Sequence, residues 1–228
     1  MVAIQQRLTP YNFASVTNRN ILYIVIHYVG AESSAENNAT YFANNRLTKS
    51  AHYFVDETSI WQSVEDKNVA WHCGGGLHGD EGHTFYKKCT NSNSIGIEMC
   101  CKKSSSGWYF EDNTVRNTVD LVKCLMEQYN IPIERVIRHY DVTGKICPAP
   151  YVDEQEWTVF KNMIIREEEE MIEKVYHNIN EVPEWAKPTM QKIISKGWYK
   201  GTSATDLDLS DTLMRTMVIL DRVGIFDK

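Results

Sequence analysis

The sequence predicts an α/β fold: a central mixed β-sheet flanked by helices, then a small C-terminal helical module. Three observations carry this. Short runs of β-branched and aromatic residues alternate with segments of helical period. A chain of 228 residues has room for one full domain and a small module. Beyond the acidic run at 166–170, the composition changes to two amphipathic segments.

Each element follows in order. The apolar run ending at His27, residues 21–27, reads as a central strand. Residues 37–46 read as a helix that stops near Leu47 and Thr48. Residues 51–56 and 60–63 read as a hairpin around a short turn. Residues 93–101 form a further strand. Its period of two sets Gly96 and Glu98 on one face and Ile95, Ile97 and Met99 on the other, so that Gly96 leaves room beside the carboxylate. Apolar residues at 115, 119, 122, 125, 126 and 129 give residues 113–129 a helical period, ended by Asn130-Ile-Pro132. Residues 133–139 read as a short strand. A helix is expected from Glu154 to about Val175, with Trp157, Phe160, Ile164 and Ile165 on one side. The run Arg166-Glu-Glu-Glu-Glu170 is a solvated helix face or linker. Residues 184–194 and 210–220 read as two helices, with Gly197 and Gly201 punctuating the connection. The expected domains are 1–165 and 176–228. A unit of about 50 residues rarely stabilises itself, so the second is expected to dock, to bind a partner or to oligomerise.

A net charge of −6 argues against a nucleic-acid partner and against an anionic membrane surface, both of which need clustered Lys and Arg. No apolar run approaches the ~18 residues of a membrane span, so no membrane insertion is expected. Residues 1–7 lack a basic region followed by an apolar one, which predicts cytoplasmic synthesis without a signal peptide. The six cysteines show neither a disulfide framework nor CxxC spacing. Free thiols are expected, with a Cys73–Cys89 bridge as the alternative. The glycines at 74–76 lack the Lys-Ser/Thr of a phosphate loop, and no G-x-S-x-G elbow occurs.

The chemistry centres on three distant residues. His27 ends one apolar run, and His139 follows another. Cys147 comes after the turn-like Val142-Thr-Gly-Lys145, with Pro148 next. Singly, His27 reads as a satisfied core histidine and Cys147 as a small buried hydrophobe. Together they form an N/N/S set that leaves the fourth position of a tetrahedral zinc open, which separates a hydrolytic site from a structural one. The separations do not fit a zinc finger, whose ligands come in close pairs. Glu98 is the candidate proton acceptor and donor for amide hydrolysis. Lys145 is placed to reach an oxygen that gains charge. Asp141 either orients a ligand imidazole or forms an Asx-turn.

Five segments, in order, resemble a known family: Ile24-Val-Ile-His27, Ser50-Ala-His-Tyr-Phe-Val55, Val69-Ala-Trp-His-Cys-Gly74, Asn93-Ser-Ile-Gly-Ile-Glu98 and Arg138 to Pro148. Over residues 20–150 the chain is similar to the zinc-dependent N-acetylmuramoyl-L-alanine amidases of the type-2 amidase and peptidoglycan-recognition fold, which include many phage and prophage endolysins. The resemblance implies zinc held by His27, His139 and Cys147, with Glu98 as acid/base and Lys145 as its catalytic companion. It also implies bacterial peptidoglycan as partner, and action on the cell wall after release. His52, Trp71 and His72 are expected to line the substrate groove, while His78 and His83 are expected to be solvated. Some members carry a tyrosine before the hairpin histidine; here Ala51 stands there, so that role is not transferred. Two other functions stay open: peptidoglycan binding without cleavage, and recycling of soluble muropeptides in the cytoplasm. Residues 176–228 weakly resemble wall-binding repeats of the S-layer-homology type, and either wall binding or a homodimer is expected of them.

Overall fold

The computed structural model describes residues 2–165, 174–203 and 206–227. It divides into two compact units, Met1–Arg166 and Glu167–Lys228.

The first unit is built on a six-stranded sheet. Its strands are β1 (Ile4–Gln6), β2 (Tyr23–Tyr28), β3 (Tyr53–Val55), β4 (Ile60–Gln62), β5 (Ser94–Met99) and β8 (Val136–Arg138), in the order β1-β4-β3-β5-β2-β8. Only β3 and β4 pair antiparallel; the other neighbours run parallel. The sheet is therefore mixed. Its central strand β2 is a nearly continuous apolar run because both faces are covered, while its neighbour β5 alternates between Ile95, Ile97 and Met99 on one face and Gly96 and Glu98 on the other.

One face carries Ile24, Ile26, Ile95, Ile97 and Met99, packed with α2 (Asp112–Tyr129) and α4 (Glu154–Ile165) through Leu121, Val122, Leu125, Trp157 and Phe160. The other face carries α1 (Ala35–Asn44), packed on Phe54 and Trp61, and the 64–93 segment with Cys73 and Cys89. The helix boundaries have local causes. Ser34 caps α1 by accepting from the Asn37 N–H, and the buried Asp56 carboxylate accepts from the Ala35 N–H. Asn130 ends α2 in the left-handed conformation, with Pro132 following.

Two sequence expectations about the elements change. The strand expected over 133–139 is reduced to β8, and His139 instead opens a short helix, α3 (His139–Thr143). The cause is Asp141, whose carboxylate accepts from the Arg138 backbone N–H and turns the chain into helix. The helix expected to reach Val175 is described to Ile165; the run at 166–170 lies outside the described residues, and Val175 belongs to a strand. The edge strand β1 and a small hairpin, β6 (Lys102–Ser104) with β7 (Gly107–Tyr109), lacked a legible sequence pattern.

In the second unit β9 (Val175–Tyr176) pairs antiparallel with β10 (Leu209–Ser210). The helices α5 (Lys187–Ser195) and α6 (Asp211–Arg222) close over a core of Tyr176, Val182, Met190, Ile193, Leu209, Met214 and Val218. Ser210 caps α6 through the Leu213 N–H. Trp185 and Trp198 stay about half exposed, beneath the guanidinium of Arg215 and the ammonium of Lys196 respectively. Among the described residues no helix is long and apolar enough to cross a membrane.

Candidate metal centre

The two central strands deliver the first pair of polar side chains. His27 and Glu98 are partners in the parallel register of β2 and β5, so their side chains leave the same face of the sheet. His139 enters from the start of α3 and Cys147 from the loop behind it. That loop is fastened twice: the Tyr140 N–H donates to the Cys147 carbonyl at 2.8 Å, and the Cys147 N–H to the Lys145 carbonyl at 2.7 Å. The buried Arg138 guanidinium holds the base of α3, pairing with Asp141 at 2.7 Å and donating to the Tyr151 and Val152 carbonyls. Asp141 is thus committed to Arg138 and not to an imidazole.

His27, His139 and Cys147 converge. Their candidate ligand atoms all lie within 4.8 Å of one another, and all three residues are buried. Cys147 Sγ is 3.6 Å from His27 Nδ1. The centroids of the His27 and His139 rings are 4.7 Å apart. Both His139 nitrogens are buried with no hydrogen-bond partner among the described residues. Leaving two such atoms unmet is costly, and a cation bound between the imidazoles and the sulfur would meet one of them. The donor set and the orphaned ring fit zinc.

Burial also sets the protonation. It holds His27 well below the usual histidine range, helped by the neighbouring His139 and His72, and it pushes His139 down to about 4. Both rings are therefore neutral, as metal ligands must be. Burial pushes the Cys147 thiol up to about 12. It pushes the Glu98 carboxyl up to about 8, against the opposing pull of Lys145 and Lys49. Glu98 Oε2 is buried without a partner among the described residues.

These groups line a cleft of about 730 Å³ that also contains Lys145, Trp71 and His72. Outside the cleft lining, the 78–85 segment is tied to α3. The His78 N–H donates to the Thr143 carbonyl and the Phe85 N–H to the Asp141 carbonyl. Gly144 has φ +78° and lies so close to the His78 and Glu81 carbonyls that no β-carbon fits. The cleft lining also includes Tyr41, Phe42 and Lys49. Neither His78, which is exposed, nor His83 joins the cluster. All six cysteines are free.

His52, expected at the groove, is not there. It is fully buried behind it, with Nδ1 accepting from the Gly96 N–H at 3.0 Å. Its Nε2 lies 2.9 Å from Arg19 Nη1 and 3.2 Å from the Asn68 carbonyl oxygen. The space at Gly96 is also used differently from the expectation. It seats the His72 ring: a β-carbon at 96 would fall 2.5 Å from His72 Cγ. Three residues had no signal in the sequence. Arg19 donates to the carbonyls of Asp66, Asn68, Asn91, Ser92 and Ser94, and so gathers the segments that flank His72. Ser94 and Thr90 touch or support the same ring. The strand reading of 93–101 does not single out Ser94, and an isolated arginine has no pattern.

Residues 17–150 match the family model of the N-acetylmuramoyl-L-alanine amidases. The chain belongs to this amidase family. The match takes in every side chain of the cluster and ends before the second unit. The chain is 36% identical over 151 residues to the N-acetylmuramoyl-L-alanine amidase CwlL of Bacillus licheniformis, covering 62% of this chain and 40% of that protein. It is 35% identical over 149 residues to BlyA of Bacillus subtilis (strain 168), with 61% and 40% covered. The amidase-family chain thus spans about 40% of the length of these curated relatives. Among solved structures, the catalytic domain of XlyA superposes with a TM-score of 0.58 at 30% identity, over 72% of this chain and 99% of that domain.

Proposed function

We propose that the chain is a zinc amidase that cuts bacterial peptidoglycan between the lactyl carbonyl of N-acetylmuramic acid and the first L-alanine of the stem peptide. One observation carries the reading: two imidazoles and a thiol from three separate elements meet on the floor of a cleft, beside a buried carboxyl in register with one of them. His27, His139 and Cys147 would hold the zinc, which supplies Lewis acidity toward the scissile carbonyl and the attacking water.

The remaining work falls to the chain. Glu98, whose affinity for protons is raised by burial to near the working pH, takes a proton from the attacking water and returns it to the departing nitrogen. The Lys145 ammonium stabilises the carbonyl oxygen as it gains negative charge. Trp71, on the cleft wall, offers a flat apolar surface for a sugar or peptide. The second unit holds the enzyme on the wall, where Trp185 and Trp198 give exposed rings for stacking.

The test is digestion of purified sacculi by the full chain. New amino termini on L-alanine, with one equivalent of zinc in the protein, are expected. Sacculi that gain reducing sugars, or no new ends at all, would overturn the assignment.

A further inference from the structure

We infer that His72 is a positioning residue for the metal: it dictates which nitrogen of His27 faces the ion. The inference rests on the zinc reading above, and it reassigns a residue whose sequence context suggested only a groove wall.

Four groups form a line. His27 Nε2 lies 3.0 Å from His72 Nδ1. His72 Nε2 lies 3.2 Å from Ser94 Oγ. Ser94 Oγ lies 2.6 Å from the Thr90 carbonyl oxygen. The carbonyl fixes the polarity of the whole line, because it can only accept. Ser94 has one proton and spends it on Thr90. Its oxygen is then left to accept, so His72 Nε2 is the protonated nitrogen. His72 Nδ1 is therefore bare and must accept, so His27 carries its proton on Nε2. That leaves the lone pair of His27 Nδ1 free, on the side where Cys147 Sγ stands 3.6 Å away. A backbone carbonyl three steps removed thus selects the tautomer that zinc needs.

The His72 ring is built in. Its backbone N–H and that of Cys73 both donate to Asn91 Oδ1, at 3.0 and 2.9 Å. Its ring fills the notch left by Gly96 and stands edge-on to His27, at 88°. Arg19 holds the Asn91 and Ser94 carbonyls from behind. The hydrogen-bond acceptor is thus fixed before any ion arrives.

Zinc affinity of the full chain, read by competition with a chromophoric chelator, tests this. His72→Ala removes the acceptor and is expected to weaken zinc binding about 10- to 100-fold. His72→Asn places an amide oxygen where Nδ1 was and is expected to bind about tenfold more tightly than the alanine variant. In the zinc-loaded wild type, nitrogen NMR is expected to show His27 and His72 both protonated on Nε2. This reading does not depend on any variant folding. An alanine variant with wild-type affinity, an asparagine variant no better than alanine, or His27 protonated on Nδ1 would each overturn the inference. A wild-type chain that takes up no zinc would instead overturn the parent reading, so the two failures are separable.

Discussion

His27 and Glu98 stand side by side across the parallel pairing of β2 and β5, a candidate metal-ligating imidazole and a buried carboxyl held at one strand spacing by the backbone register. Neighbouring strands lie about 4.8 Å apart. Glu98 and the candidate metal site are therefore held together by the sheet, and either can be altered without moving the other. Replacing Glu98 with Gln keeps the shape and removes the charge. Turnover on sacculi is expected to fall about 100- to 10,000-fold while zinc content, read by atomic emission, stays at one equivalent. Full activity in this variant would remove Glu98 from the mechanism.

Zinc uptake should release a proton from the cysteine. His27 and His139 are held neutral by burial, whereas the Cys147 thiol is pushed up to about 12 and must lose its proton to bind. In the Glu98→Gln background, calorimetry in buffers of different ionisation enthalpy is expected to give about one proton per zinc. The affinity should then rise about tenfold per pH unit near neutrality. Cys147→Ser should lose most of the zinc, and retention of a full equivalent would exclude the thiol as a ligand.

The zinc-free protein should show the buried carboxyl in its pH-stability curve. In the folded chain Glu98 holds its proton up to about 8, against about 4.3 when unfolded. The native state therefore binds the proton more strongly, and stability is full below the lower value and lost as pH climbs through the higher one. The melting temperature of the wild type, measured relative to Glu98→Gln, is expected to fall between about pH 5 and pH 8. A flat difference across that range would contradict the burial of Glu98.

Gly96→Ala tests the notch. The backbone at 96 is ordinary extended strand, so the glycine is required by the His72 ring and not by its own conformation. An added methyl must displace that ring, and zinc affinity should drop about as far as in His72→Ala. A variant that binds zinc normally would show that the ring yields without consequence.

Removal of residues 176–228 separates anchoring from chemistry. Lysis of whole cells is expected to fall far more than hydrolysis of a soluble muropeptide, because tethering raises the local concentration of wall bonds only. Equal losses in both assays would point to the pairing of two chains.

Much of the site was legible because its residues sit at strand ends. A short apolar run followed by histidine, as at 21–27, marks a buried strand that delivers a polar group to its edge, and the period-two alternation of 95–99 gave the correct face for Glu98. What the sequence concealed depends on approach between distant segments. The vacancy at Gly96 is visible from spacing, but that it seats His72 and not a neighbour of Glu98 depends on how the 64–93 segment folds over the sheet. His52 looked like its sister histidine in residue type, yet its ring is buried among the Gly96 N–H, the Asn68 carbonyl and Arg19, away from the cleft. The short helix at His139 arose from one carboxylate capping one N–H, which periodicity cannot detect in five residues.

Gly144 couples two regions that look independent along the chain. Since the 78–85 stretch is stapled to α3 by backbone bonds and by a fit with no spare volume, and the Tyr140 N–H of α3 in turn holds the Cys147 carbonyl, a shift of that stretch would be felt at the Cys147 loop.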